Sequence, residues 1–226
     1  MEREAFLARV REAAQAGQLY RVHTETTERT AGRGNIGGDL IGRLAQEIEA
    51  VGGQAHRVAS LSQARTCVAE LLEQCAASSV LCWKDDTLAA MGLRELLTER
   101  GIERWDYDRL IALDAGDRRQ AQLATDAGIS GVDFAIAETG SLALLSQPGH
   151  ERNASLLPPV YIAVMRRGQI VADLFDLFDE LAARGLEKLP SNLVFVTGPS
   201  KTGDIELKLT TGVHGPKHWH VVIVDE

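Results

Sequence analysis

The feature that most constrains the fold is an alternation of helical periodicity with short apolar runs, from residue 39 to residue 128. Apolar residues at 41–51 recur every three or four positions, as on one helix face, and Gly52-Gly53 follows as a C-cap. The run Ser79–Trp83 is short, apolar and bounded by polar residues, which is typical of a buried strand. Helices that alternate with such strands predict an α/β fold with an open, mostly parallel sheet and helices on both faces.

Similar patterns continue to the end of the chain. Helices are predicted at residues 3–17, 41–51, 64–75, 87–100, 117–127 and 174–181. Strands are predicted at residues 55–58, 79–83, 132–136, 142–145, 160–164, 193–196 and 219–224. Ser60 with Gln63 forms a capping box before its helix. In the last helix, Leu174, Phe178 and Leu181 are expected to face inward.

Residues 21–37 are polar, rich in Thr and Gly, and without periodicity, so they indicate an exposed linker. The predicted organisation is an N-terminal helix and linker at residues 1–36, followed by an α/β domain at residues 37–226. The first helix has one modest apolar face, and we expect it to form an arm that docks a partner.

Charge and composition exclude several classes of protein. The net charge of −8 opposes nonspecific nucleic-acid binding, which requires a basic face. The N-terminus shows no signal peptide and no run is long enough for a membrane span, so we expect a cytoplasmic protein. No Gly-x-Gly-x-x-Gly follows a strand, and no cofactor is predicted. Cys67, Cys75 and Cys82 form no Cys-x-x-Cys pair, so neither a zinc site nor an iron–sulfur cluster is expected.

Glu138 is the first candidate for chemistry, because it precedes the turn Thr139-Gly140-Ser141 between two apolar runs. A carboxylate in a reachable turn can act as a nucleophile or as a general base. The small residues after it offer backbone N–H groups that can hold an oxyanion or a phosphate. The alternative is an ordinary solvated turn, and the sequence pattern leaves both interpretations open.

The second candidate is the loop after the apolar run 193–196, which is dense in Gly, Pro, Ser and Thr. Its sequence from residue 197 is Thr-Gly-Pro-Ser-Lys-Thr-Gly-Asp, so it lacks the Gly-x4-Gly-Lys-Ser/Thr order of a Walker A loop. Its hydroxyls and its cation suit an anion or a carboxylate, and an ordinary capped turn is an equal alternative. The residues predicted to contact a ligand here are Gly198, Ser200, Lys201, Thr202 and Asp204.

Three histidines near the C-terminus, His214, His218 and His220, are candidate metal ligands. His218 and His220 would share one face of a strand, but no nearby Cys or carboxylate completes the ligand set that zinc requires. We therefore predict no metal site and interpret these two as edge-strand histidines. His214 lies in the tightly turned Gly-Val-His-Gly-Pro segment and is the preferred site histidine.

Three segments carry a resemblance to a known family. They are Ala-Glu-Thr-Gly-Ser-Leu at 137–142, Thr-Gly-Pro-Ser-Lys-Thr-Gly-Asp-Ile-Glu at 197–206, and Gly-Val-His-Gly-Pro at 212–216 followed by His-Val-Val-Ile-Val. Together they resemble the LUD-domain family, and within it the lactate-utilisation protein C group. The resemblance covers most of the chain and is sharpest from about residue 117 onward. Gly203 stands where the family pattern has Ala, a change of one small residue for another.

This resemblance implies a fold similar to the NagB/RpiA/CoA-transferase group. It also implies a role in oxidising L-lactate to pyruvate beside iron–sulfur partner proteins, with which the missing cysteine motif agrees. CoA transferases of that group use a glutamate beside an Asn-Gly turn as nucleophile. Glu138 beside Thr139-Gly140 is similar in kind, although Thr replaces Asn.

Three hypotheses for function follow, and they leave open whether the chain is itself an enzyme. The first is a subunit of a lactate-utilisation system, in which Glu138, Lys201 and His214 line a pocket for a small carboxylate or phosphate at the C-terminal ends of the strands. The second is a stand-alone acyl/CoA transferase or sugar-phosphate enzyme that uses Glu138. The third is a non-catalytic structural subunit.

Overall fold

The computed structural model describes residues 3–18, 38–185, 188–203 and 209–226. The chain separates into two compact units, Met1–Gly34 and Asn35–Glu226. Helix α1 (Arg3–Gln18) is the described element of the first unit, and its Phe6 and Val10 are exposed. The predicted linker and the predicted boundary after residue 36 lie outside the described residues and stay predictions. No helix in the described ranges is long and apolar enough to cross a bilayer.

The second unit contains the other helices and all the strands of the described residues. Its helices are α2 (Leu40–Ala50), α3 (Leu61–Gln74), α4 (Asp86–Ala90), α5 (Leu93–Glu99), α6 (Tyr107–Ile111), α7 (Ala115–Leu123) and α8 (Leu174–Ala183). Its first strands are β1 (Gln54–Val58), β2 (Ser79–Cys82), β3 (Glu103–Trp105), β4 (Ala127–Ser130), β5 (Phe134–Ile136) and β6 (Ser141–Leu145). The remaining strands are β7 (Val160–Arg166), β8 (Ile170–Val171), β9 (Leu193–Val196), β10 (Lys201–Gly203), β11 (Leu209–Thr211) and β12 (His218–Val224).

The core of the unit is a six-stranded sheet in the order β1-β12-β7-β4-β2-β3, and every pairing in it is parallel. Its inner strands β2, β4 and β7 are apolar runs that are buried on both sides, as helices on the two faces of a parallel sheet require. The predicted α/β fold class is therefore confirmed.

The order of the strands reverses between β2 and β4. The chain passes from β2 outward to the edge strand β3, and then returns to β4 on the other side of β2. From β4 onward it continues away from β2, through β7 to β12. Because the connections after β2 and β4 leave in opposite directions, a crevice opens outside the carboxyl ends of these two strands.

A second, smaller sheet has the order β8-β5-β6-β9, and β5 and β9 each pair with β6 in the antiparallel sense. One face of it packs on α8 through a separate apolar cluster. Its members are Phe134, Ile136, Ala143, Leu145, Leu177 and Leu181. Strands β10 and β11 form an antiparallel hairpin beyond β9.

Side-chain caps explain where most helices begin. Ser60 accepts a hydrogen bond from the N–H of Gln63, as the predicted cap requires. The other capping side chains are Asp39, Asp85, Asp106, Asp114 and Asp173. Each accepts at least one of the backbone N–H groups that have no partner within the first turn.

Two of the predicted helices differ in the structure. The helix expected at 87–100 is divided into α4 and α5 by Gly92, whose φ of 76° interrupts the helical backbone. The helix expected at 117–127 ends at Leu123, and β4 begins at Ala127. Gly128 is part of that strand, where it pairs with β2 and β7. A Cβ at this position would lie 1.8 Å from the carbonyl oxygen of Ala154, so only glycine fits. The close packing of the segment Arg152–Ser155 on β4 was not visible in the periodicity.

The inward face of α8 also differs from the prediction. Leu181 is buried as expected, but its partner on the inner face is Leu177. Leu174 and Phe178 are 41% and 50% exposed. The face of α8 that packs on the small sheet carries Leu177 and Leu181, and the buried Asp173 caps the first turn of the helix.

Candidate functional site

The turn that carries Glu138 connects β5 to β6, and it is held by the backbone. The Glu138 N–H donates to the carbonyl of Ala172 at 3.0 Å, while its side chain is exposed. Gly140 has a φ of 67°, and a Cβ there would lie 2.7 Å from backbone atoms of Glu47 and Ile48 in α2. The turn therefore packs directly on the backbone of α2 at Gly140, where only glycine fits.

The turn after β5 and the loop after β9 lie side by side, because β6 and β9 are paired. The hydroxyl of Thr139 donates to that of Ser141 at 2.8 Å, and the Ser141 and Thr197 hydroxyls are 2.7 Å apart. We call residues 138–141 and 197–201 the double turn. The sequence therefore placed two neighbouring segments correctly as candidates for one surface.

Lys201 in the double turn is bound to the protein. Its Nζ donates to the carbonyl of Val51 at 2.6 Å, just beyond the end of α2. The last carbonyls of a helix lack partners within the helix, and a cation there is favourable. The backbone of Ser200 is also used, since its N–H donates to Pro216 and its carbonyl accepts from Gly212. Lys201 and the backbone of Ser200 therefore bind neighbouring backbone, and Thr197 bonds to the Ser141 hydroxyl.

The remaining predicted ligand residues of this region are distributed over its surface. Gly198, with a φ of 93°, lies against the carbonyl of Val51, and Thr202 is part of the β10–β11 hairpin. His214 is exposed between Val213 and Gly215. Asp204 lies outside the described residues.

His218 and His220 belong to β12, an interior strand between β1 and β7, so their assignment to an edge strand is wrong. The polar pattern of a strand end resembles that of an edge, and only the strand order distinguishes the two. His220 is buried, and its Nδ1 lies 3.2 Å from Nε2 of His56. Burial, followed by the nearby His56 and His218, lowers the pKa of His220 to about 4. Within the described ranges, no group of three or more His, Cys, Asp or Glu is arranged to hold a metal ion.

A cavity of about 630 Å³ opens at the carboxyl ends of β2 and β4, where the strand order reverses. We call it the switch-point cavity. Its polar lining residues include Lys84, Asp85, Asp86, Asp133, Gln147, His150, Gln169, Glu180 and Arg184. None of the residues predicted to form the site lines this cavity. Open α/β sheets bind their ligands at this position.

Asp133 follows β4 and is half-buried in the cavity wall. The N–H of Leu145 donates to its Oδ2 at 2.7 Å. Burial raises the pKa of this carboxyl, while the Leu145 hydrogen bond and the nearby His150 and Arg184 act in the opposite direction. A carboxyl with a raised pKa beside a histidine is a common acid–base arrangement in sites.

His150 is buried in the same wall, and its ring is stacked on Trp83 with centroids 4.0 Å apart. Trp83 is itself fixed by a hydrogen bond from its indole N–H to the carbonyl of Glu151 at 2.9 Å. The amide nitrogen of Gln147 lies 3.2 Å from Nδ1 and 3.1 Å from Nε2 of His150. A neutral imidazole accepts at only one nitrogen, so the other nitrogen retains an N–H that can donate.

Arg184 ends α8, and its guanidinium lies 4.4 Å above the ring of Phe134. This stacking holds the guanidinium in place without using its hydrogen-bond donors. None of the carboxylates that the structure describes forms an ion pair with Arg184. Lys84 differs, because its Nζ is bound to Asp108 at 2.8 Å.

Sequence reasoning missed the switch-point cavity for a definable reason. The signal was present, since Lys84-Asp85-Asp86 directly follows a buried strand and Asp133 follows a glycine after another run. Recognising the site required knowing that β2 and β4 are neighbours, although more than 40 residues separate them. The helix predicted at 117–127 was extended beyond the end of α7 at Leu123, and this extension concealed β4 and therefore its carboxyl end.

Comparisons with known proteins agree with this architecture. The model of the LUD domain family matches residues 41–224. The chain is 36% identical over 162 residues to "Lactate utilization protein C" of Halalkalibacterium halodurans, a match that covers 69% of this chain and 66% of that relative. It is 33% identical over 190 residues to the protein of the same name from Shouchella clausii, covering 83% of this chain and 80% of that one.

A solved structure shows the same fold. It is a duf162 family protein from Deinococcus radiodurans, with a TM-score of 0.56 and 20% identity. The similarity covers 82% of this chain and 96% of that one. At this identity the likeness concerns the fold, and it does not extend to the ligand.

Proposed function

The chain belongs to the LUD domain family, and from this premise we propose that it is a component of a lactate-utilisation system. The observation that carries the proposal is its 33–36% identity, over most of the second unit, with relatives named for that role. The switch-point cavity supports it, because the Arg184 guanidinium forms no ion pair with a described carboxylate and such a group suits a small organic acid.

We further propose that iron–sulfur proteins act as its partners. Oxidation of L-lactate to pyruvate releases two protons and two electrons, and the electrons need an acceptor. The cysteines of this chain are poor cluster ligands, because Cys82 is buried and Cys67 and Cys75 are half-buried. Burial raises the pKa of all three thiols, in the case of Cys82 to about 12. Electron carriers of another chain would therefore complete the reaction.

The role of Glu138, Lys201 and His214 in one ligand pocket stays a prediction. The double turn is exposed at Glu138, and Lys201 is bound to the end of α2. The transferase alternative depends on Glu138 as nucleophile, and no further observation favours it over the lactate-utilisation role.

Reconstitution tests the proposed function. The chain is mixed with the iron–sulfur partner proteins, and L-lactate-dependent reduction of a dye is measured. We expect the rate to collapse when the chain is omitted, and an unchanged rate would contradict the proposal. A Glu138→Gln variant in the same assay tests where the site lies, since a ligand pocket that includes Glu138 requires a loss of activity and a site in the switch-point cavity does not.

A further inference from the structure

We propose that the switch-point cavity binds a small hydroxycarboxylate, with Arg184 holding the carboxylate and Asp133 and His150 holding the hydroxyl. The inference rests on the proposed function, because L-lactate is the small hydroxycarboxylate that this function involves. It assigns the ligand to residues outside the double turn.

Arg184 is the anion anchor for reasons of geometry. The Phe134 ring supports one face of the guanidinium, so the fork of N–H donors is held in place before a ligand arrives. A carboxylate matches this fork with two parallel hydrogen bonds. Lys84, the other cation of the cavity, is already paired with Asp108 and is less available.

Asp133 and His150 supply an acceptor and a donor for a hydroxyl. The Oδ2 atom of Asp133 is used by the Leu145 N–H, while no described residue donates to its Oδ1. That oxygen can accept from a ligand hydroxyl. The N–H that His150 retains can donate to the same hydroxyl oxygen, and the Trp83 stack fixes the plane of its ring. Hydroxyl recognition by a paired acceptor and donor is specific, because an analogue without the hydroxyl leaves both groups unpaired.

The charge of the cavity selects against simple anions. Four carboxylates line it, from Asp85, Asp86, Asp133 and Glu180, against the two cations Lys84 and Arg184. An anion that cannot donate a hydrogen bond would face this acidic wall without compensation. A hydroxy acid presents its carboxylate to Arg184 and a donor to the acidic side. The cavity is also larger than a three-carbon acid, so longer hydroxy acids fit the same groups.

Titration calorimetry on the full chain tests the assignment, with L-lactate and propionate as probes. Propionate has the same carboxylate and lacks the hydroxyl. We expect L-lactate to bind at least about 10-fold more tightly than propionate, as a hydrogen-bonded hydroxyl requires. Arg184→Gln should weaken L-lactate binding by about 10-fold or more. Asp133→Asn should weaken the binding of L-lactate, while the binding of propionate, which meets one negative charge fewer, should not weaken.

Arg100→Gln is the matched control, because Arg100 also ends a helix and is exposed, but it pairs with Glu73 away from the cavity. It should bind L-lactate as the wild type does, and thermal melts confirm that each variant is folded. The proposal is overturned if the wild type binds no L-lactate, if propionate binds equally well, or if Arg184→Gln behaves like Arg100→Gln. In that event, dye reduction that still depends on the chain would leave the proposed function standing and reject only this site.

Discussion

The double turn and the switch-point cavity each contain a cation and a carboxylate, but the cations have different partners. In the double turn, the hydroxyls bond to one another and Lys201 bonds to the end of α2. In the cavity, Arg184 is held by an aromatic ring, and none of the carboxylates in the described ranges pairs with it. A run of Gly, Ser, Thr and Lys shows that the chain turns and has donors to offer. Such a run does not show whether these donors are already bonded to other groups of the protein.

The two sheets explain this difference. Strand β6 follows β5 through a tight antiparallel connection, so the residues of that turn pack at once on the nearest element, which is α2. Strands β2 and β4 are parallel neighbours whose following segments diverge. Divergence leaves space between polar loop residues, and that space is the cavity.

The largest effect is expected from Gly140→Ala, which tests whether packing builds the double turn. The new Cβ would meet the backbone of α2 at 2.7 Å, in a left-handed conformation that disfavours alanine. We expect the free energy of unfolding to fall by about 3 kcal/mol. Chemical denaturation measures it, with Gly203→Ala as control, since a Cβ at Gly203 has no heavy atom within 4 Å. Equal stability of the two variants would mean that the turn is not fixed by α2.

The next effect is the change of the free energy of unfolding with pH. It tests the interior of the parallel sheet, which is separate from the double turn and from the switch-point cavity. The folded pKa of His220 is about 4 against an ordinary 6.5, so the unfolded chain binds the proton first as pH falls. Stability should be full above pH 6.5 and decline towards pH 4, by about 3 kcal/mol from this residue.

Denaturation curves at several pH values measure that slope. His220→Gln should flatten it, leaving a part due to His56, whose pKa is also lowered by burial. His214→Gln is the control, because His214 is exposed and lies outside β12. A slope that His220→Gln leaves intact would assign the acid sensitivity to other groups.

The smallest effect is expected from Lys201→Met, which separates a helix-capping role from a ligand-binding one. Loss of the Nζ hydrogen bond to Val51 should lower the free energy of unfolding by about 0.5 kcal/mol, since the contact is exposed. Lys217→Met, an exposed lysine on the approach to β12, should change nothing. If Lys201→Met instead abolished L-lactate binding with stability intact, the double turn would be the ligand site.

Much of the fold was predictable because its determinants are local. Neighbouring residues determine the helix cap at Ser60 and the strands predicted at 79–83 and 160–164. The structure confirms all three. Errors occurred where a distant contact decides. Gly128 lies in β4 because that segment pairs with β2 and β7, and the carbonyl of Ala154 approaches it too closely for any other residue. Leu177 is buried because α8 packs on the small sheet.

The sequence by itself determined the fold class and the family, while the closeness of the two segments of the double turn was a hypothesis until the pairing of β6 with β9 was known. Helix caps and the period of apolar residues depend on residues that are close together in the sequence, so one sequence is enough to recognise them. Only the tertiary structure decided that Lys201 caps a helix and that Asp133, His150 and Arg184 line one cavity. Those three residues follow β4, β6 and α8, and they meet because the strand order reverses beside them. The order of strands depends on long-range pairing, which no short segment records.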